Sequence, residues 1–126
     1  MIASSLASPV SLSPQSGVAR RQVGQLLDDA AWRGDVDGVL LALHEALINA
    51  HRHAGGVSGA SACLDGGSLQ IEVRDRGRGF AIPDSAEAPD PEAETGRGLF
   101  LIRRLSSAAD VSRSGGEVRL LLRFDR

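Results

Sequence analysis

The amino-acid sequence predicts an α/β (α+β) two-layer sandwich, in which helices cover one face of a mixed, mostly antiparallel sheet. Two observations support this fold class. Two segments in the first half carry apolar residues at helical spacing, and two later segments alternate between apolar and polar residues. A glycine turn joins each alternating segment to a weaker strand before it. Because an alternating strand buries only one face, the helices are expected on that face alone.

Residues 1–13 are weakly patterned, and they predict either an edge strand near Val10–Leu12 or a loosely ordered terminus. The folded domain is expected over residues 14–126, a length typical of one domain with its own core.

Two helices are expected next. Ser13 and Pro14 are typical of an N-cap and a first helical position. Apolar residues then recur at helical spacing up to Ala30. Asp35 is expected to cap a second helix, which continues to about Ala54 and ends at two glycines.

Two hairpins provide the sheet. Ser68–Asp75 alternates strictly and follows a weaker strand near Val57–Leu64, with an Asp-Gly-Gly turn between them. A second weak strand near Asp110–Ser112 precedes a Ser-Gly-Gly turn and the last strand. That strand places four apolar residues on one face: Val118, Leu120, Leu122 and Phe124. Between the hairpins, an acidic, proline-containing loop over residues 80–95 and a helix from about Arg97 to Ala108 are expected, and loops of this length often cover a site.

Composition limits the function classes. The formal charge of −2, from 14 basic and 16 acidic residues, does not favour direct binding to nucleic acid. All basic residues are Arg; without Lys or Tyr there is no Walker A lysine, Schiff-base lysine or tyrosine acid. The lone Cys63 excludes an internal disulfide and a cysteine metal cluster.

The apolar segments do not predict a membrane protein. The longest uninterrupted apolar run, Val39–Leu43, is far too short to span a bilayer. The first 19 residues carry no charged side chain but six serines and two prolines, which is not the pattern of a signal peptide. A soluble cytoplasmic domain without membrane contact is therefore expected.

The second helix carries the first candidate motif. Glu45, Asn49 and His53 are spaced by four and share one face, which the spacing places roughly opposite the apolar face. An ordinary solvated helix face would give the same pattern. A zinc metalloprotease pattern is excluded, because the position four residues after His44 is Ile48.

Two glycine motifs follow. Asp75 ends the alternating strand and precedes Gly77 and Gly79, which allow a ligand to approach the backbone. Gly96 and Gly98 flank an arginine where the third helix begins, and helix N-termini favour phosphate. Each motif alone is also typical of a simple turn or helix start.

In this order, the three motifs resemble the N, G1 and G2 boxes of the GHKL ATPases, which have the Bergerat ATP-binding fold. The resemblance covers residues 14–124. The segments Glu-Ala-x-x-Asn-Ala-x-x-His-Ala and Gly-Arg-Gly-Leu-Phe-Leu-Ile are most similar to the small anti-sigma factor serine/threonine kinases of bacteria. The resemblance implies ATP and Mg²⁺ as cofactors.

The resemblance also implies roles for individual residues. Glu45 corresponds to the catalytic base, Asn49 to the Mg²⁺ ligand and Asp75 to the acceptor for the adenine amine. His53 corresponds to a histidine that we interpret as structural. The remaining cofactor-binding positions are glycines and the start of the third helix: Gly77, Gly79, Gly96, Arg97, Gly98 and Leu99.

The implied function is that of a protein kinase that phosphorylates an anti-sigma factor antagonist and sequesters a sigma factor, as a homodimer. Some family members have an Arg where this sequence has Glu94, which makes kinase activity less secure than ATP binding. Two alternatives therefore stay open. One is an ATP-binding regulator that sequesters its partner without phosphorylating it, and the other is a histidine-kinase-like domain acting in trans.

Overall fold

The computed structural model of the chain describes residues 8–53, 55–77 and 97–126, with the backbone alone for His53. Within these ranges, three helices and five strands follow one another along the chain. The helices are α1 (Ser16–Asp29), α2 (Val36–His53) and α3 (Arg97–Leu105). The strands are β1 (Val10–Ser11), β2 (Val57–Asp65), β3 (Ser68–Asp75), β4 (Ala108–Ser114) and β5 (Glu117–Asp125).

The five strands form one sheet in the order β1-β2-β3-β5-β4. Every pairing between these described strands is antiparallel, so the predicted mixed character is not found there. Both predicted glycine turns are present, with positive φ at Gly66 (63°), Gly115 (58°) and Gly116 (81°). Glycine adopts these angles without steric cost, and they suit tight hairpins.

One face of the sheet packs against the helices, which confirms the two-layer sandwich. Along β3 and β5 alternate apolar residues are buried, as the period of two predicts. The buried apolar residues of the two strands are Leu69, Ile71, Val73, Val118, Leu120, Leu122 and Phe124. The residues between them carry the charges of the open face, where Glu72 pairs with both Arg74 (3.2 Å) and Arg119 (3.1 Å).

The helix ends correct two predictions. α1 begins at Ser16 instead of Pro14, and its N-cap is Gln15, whose side chain accepts a hydrogen bond from Val18 N at 2.7 Å. Ser13 forms a local turn before the helix, because its hydroxyl accepts from Gln15 N at 3.1 Å. Asp35 caps α2 as predicted and accepts from Gly38 N at 3.0 Å.

α3 is shorter than predicted. It ends at Leu105, and the Ser106 hydroxyl donates to the Ile102 carbonyl at 2.7 Å, which satisfies an acceptor of the last turn. Ala108 therefore belongs to β4 and lies opposite Arg123 of β5. Pairing with β5 therefore holds Ala108 and Ala109 in the sheet, although their apolar side chains also suit a helix.

At the N-terminal edge, Val10 and Ser11 pair with Ala62 and Ser61 of β2. The predicted loop over residues 80–95 lies outside the described residues. Among the helices of the described segments, none combines the length and the apolar character that crossing a membrane requires.

Candidate functional site

The α2 helix lies between α1 and α3, and all three cover the same face of the sheet. Its side towards the sheet is apolar and fully buried, and consists of Val39, Ala42, Leu43, Ala46, Leu47 and Ala50. Two histidines join α1 and the segment before it to one flank of α2. His44 Nδ1 lies 2.6 Å from Ser16 Oγ, and His51 Nε2 lies 2.9 Å from the Pro14 carbonyl oxygen.

Glu45 lies on the flank of α2 that α3 covers. A Cβ built on Gly98, the second residue of α3, would lie 2.9 Å from Glu45 Oε1. The other carboxylate oxygen, Oε2, is 4.0 Å from His44 Nε2. The structure therefore places the candidate base against the first turn of α3, where helix N–H groups lack intrahelical partners and favour an anion.

This placement corrects the prediction that the polar stripe lies roughly opposite the apolar face. Glu45 and Asn49 are half-buried and border the fully buried alanines Ala42 and Ala46. On a helix with about 100° per residue, these alanines lie only about 60–100° from Glu45. A Cβ on Gly98 of α3 would contact Glu45, so this part of the stripe lies at the boundary between α2 and α3.

Asp75 is buried, with 4% of its surface exposed, although it carries a carboxylate. It occupies the last position of β3, between Val57 of β2 and Val118 of β5. The alternation of β3 directs it to the helix side of the sheet. Its Oδ1 accepts a hydrogen bond from Gly77 N at 2.8 Å, which turns the chain at the end of the strand. A buried carboxylate is costly unless hydrogen-bond donors satisfy it, and an adenine amine is such a donor.

The start of α3 supplies the third part of the site. Arg97 is exposed and has an interaction partner, whereas Gly98 and Leu99 are half-buried and Leu99 packs against the core. Gly98 was predicted to leave room for phosphates. The structure gives an additional reason for glycine, since the Glu45 carboxylate fills the space that a side chain would need.

Four predictions fall outside the described part of the chain. Gly79, Gly96, Glu94 and the His53 side chain lie outside the described residues. The structure therefore brings together Glu45 and Gly98, and places Asn49 on the same helix flank. Asp75 lies in β3, which also packs against α2.

One pair of residues near the site, His44 and Ser16, was not predicted. His44 was considered only as half of a zinc pattern, and Ser16 was given no role. The sequence does show that His44 is adjacent to Glu45. It does not show the contact with Ser16, which is 28 positions away and reaches His44 only through helix packing.

A Mg²⁺ ion shared with a triphosphate would need few ligands from the protein. In the described ranges, no group of three or more His, Cys, Asp and Glu side chains is arranged to enclose a metal. Mg²⁺ is usually held by one or two protein oxygens, with water and substrate phosphates as its other ligands. The amide oxygen of Asn49, on the half-buried flank of α2, is a ligand of this kind.

Comparison with known proteins agrees with this geometry. A family model described as "Histidine kinase-like ATPase domain" matches residues 13–124, which include every described element except β1 and the last residue of β5. A search of curated proteins found no match.

Proposed function

Because this chain belongs to the histidine kinase-like ATPase domain family and is an ATP-binding domain of the GHKL type, we propose that it is a serine/threonine protein kinase of the anti-sigma factor kind. Its acceptor is a serine or threonine of a small antagonist protein, and its second partner is a sigma factor. The homodimer is part of the same proposal. The main support for kinase activity is the position of the Glu45 carboxylate, which lies against the first turn of α3.

Each group has a distinct task in this proposal. Asp75 accepts a hydrogen bond from the adenine amine, which fixes the base at the end of β3. The N–H groups at the start of α3, with Arg97, hold the phosphates. Asn49 holds Mg²⁺, which supplies charge neutralisation to the triphosphate when it is bound. Phosphoryl transfer needs this positioning and charge stabilisation more than covalent chemistry.

Glu45 performs the proton step. The carboxylate orients the attacking hydroxyl of the partner, or a water molecule, and accepts its proton. The flank of α2 on which it lies is half-buried, so its carboxylate has a limited range of positions. A base held in this way lowers the barrier mainly through orientation.

The test is transfer of the γ-phosphate label from ATP to a candidate antagonist, with a variant of that antagonist lacking the acceptor serine as control. We expect Glu45→Ala to reduce transfer by about a hundredfold or more, as for loss of a general base. Its affinity for ATP, measured by calorimetry, is expected to change by less than about threefold. Equal losses in transfer and affinity would assign Glu45 a structural role.

The same assay decides between the kinase and the sequestering regulator. If ATP binds but no serine is labelled, while a sigma factor is still retained, the chain is a regulator without transferase activity. Labelling of a histidine on a separate helical partner would instead identify a histidine-kinase-like domain acting in trans.

A further inference from the structure

His44 connects α1 to the candidate base, and the proposed phosphoryl transfer does not use it. Its two ring nitrogens face different groups. Nδ1 lies 2.6 Å from the hydroxyl of Ser16 in the first turn of α1, and Nε2 lies 4.0 Å from Glu45 Oε2. The side chains of His44 and Glu45 are 35% and 23% exposed, so this link lies at the rim of the helix layer.

The hydrogen bond with Ser16 admits either tautomer of the ring, because a hydroxyl can donate or accept. The Glu45 carboxylate beside Nε2 favours the tautomer that carries its hydrogen there, and the hydroxyl of Ser16 then donates to Nδ1. A separation of 4.0 Å is too long for a hydrogen bond, so the ring N–H acts on the carboxylate electrostatically.

The carboxylate of Glu45 thus lies between two neighbours. Oε1 is against Gly98 of α3, on the side where the phosphates are proposed to bind, and Oε2 is towards His44. A change in the pull on Oε2 rotates the carboxylate and moves Oε1.

We propose that His44 is a positioning residue for Glu45, which transmits the orientation fixed by Ser16 to the carboxylate. This inference rests on the proposed role of Glu45 as the base. The ring N–H keeps the carboxylate oriented, so that it can accept the proton of the attacking hydroxyl.

Other charged groups near this link lie on α1 and α3. On α1, Arg20 Nε donates to the Ser16 carbonyl at 3.4 Å, and on α3 Arg97 precedes Gly98. From the sheet, the strands packed against α2 present apolar side chains and the carboxylate of Asp75 to the helix layer.

The first experiment measures phosphate release from ATP. We expect His44→Ala to lower the turnover number about tenfold, as for a misplaced base, with ATP affinity within about twofold. His44→Gln can keep a polar N–H directed at Glu45, and it is therefore expected to restore turnover to within about threefold.

The control is His51→Ala. His51 also joins α2 to the segment before α1, but its contact is with the Pro14 carbonyl and not with Glu45. This variant loosens the same helix pair and should keep the wild-type turnover. If it reproduces the effect of His44→Ala, helix docking explains both variants and the proposal is wrong. Wild-type turnover in His44→Ala would overturn it as well.

The second experiment does not depend on turnover. Nitrogen NMR shifts of the His44 ring in the intact chain report which nitrogen carries the proton. We expect the Nε2-protonated form in the wild type, and a changed ratio of the two forms in Ser16→Ala and in Glu45→Gln, but not in His51→Ala. An unchanged ratio in the first two variants would refute the link. If ATP binds without any turnover, the proposed kinase function fails, and the ring shifts still decide this inference.

Discussion

The variant Gly98→Ala tests whether the position of Glu45 beside α3 matters for activity or only for stability. The new methyl carbon would lie 2.9 Å from Glu45 Oε1 and 3.8 Å from both Cβ and Cδ of the same side chain. Carbon–oxygen contacts are ordinarily about 3.3 Å or longer. The methyl group therefore displaces the oxygen by about 0.4 Å, and only the flexible end of one side chain has to move.

The effect on stability is small, because two contributions oppose each other. Replacing glycine by alanine in a helix gains up to about 1 kcal/mol. Forcing the Glu45 side chain from its rotamer costs about 0.5–1.5 kcal/mol. We expect the free energy of unfolding to change by less than about 1 kcal/mol, which corresponds to about 3–6 °C in Tm for a domain of this size. The single Trp32, which is buried, reports this transition by fluorescence.

The effect on activity is larger. A displaced base is expected to lower the turnover number about tenfold or more, because small misplacements near the reacting atoms are costly. ATP affinity should change by less than about threefold. Gly24→Ala is the matched control, since a Cβ at that position in α1 meets nothing within 4 Å. It should stabilise the chain by up to about 1 kcal/mol and leave turnover unchanged.

Either of two results would contradict this prediction. If Gly98→Ala lowers ATP affinity by the same factor as turnover, the methyl group blocks the phosphates and the displacement of Glu45 is irrelevant. Wild-type turnover with intact stability would show that Glu45 Oε1 does not act from the position it has in the structure.

Three further outcomes test other parts of the site and the fold. Asp75→Asn can still accept from Gly77 N but then directs an NH₂ group at the ligand, so calorimetry should show about 10–100-fold weaker ATP binding with little change in Tm; undiminished affinity would overturn the adenine contact. Asn49→Ala should weaken ATP binding about tenfold or more with Mg²⁺ present and not with EDTA, and an unchanged Mg²⁺ dependence would refute the metal role. The hydrogen bond from Ser68, followed by the charge of Arg123, lowers the pKa of Asp125 below its usual 3.8. This stabilisation is present above the pKa that Asp125 has in the unfolded chain, and it is lost as pH falls through the pKa in the folded protein. Ser68→Ala should therefore lower the urea midpoint near neutral pH and match the wild type in strong acid. A difference independent of pH would contradict this linkage.

Local patterns predicted much of the architecture. The alternation in β3 and β5 gave the buried face correctly, because a period of two leaves no other assignment when one face is buried. The Asp35 cap and both glycine turns were also found, since each depends on a side chain or backbone angle within a few residues. The α1 start was wrong because Gln15 provides the N-cap in place of Ser13.

The end of α3 could not be predicted from local patterns. The segment around Ala108 has apolar residues that suit a helix, but β5 offers it a complete edge for hydrogen bonding, and the pairing prevails. This competition depends on β5, which follows later in the chain. The helical spacing of a short segment therefore does not reveal it.

The sequence by itself determined the family, through three short motifs in a fixed order, and it indicated which residue types are candidates for phosphoryl transfer. These are local properties of spacing and chemistry. The tertiary structure decided where these residues lie. It placed Glu45 at the boundary between α2 and α3, against Gly98, and it joined His44 to Ser16 across 28 positions. Helix packing alone creates such contacts, so no spacing along the chain could have predicted them.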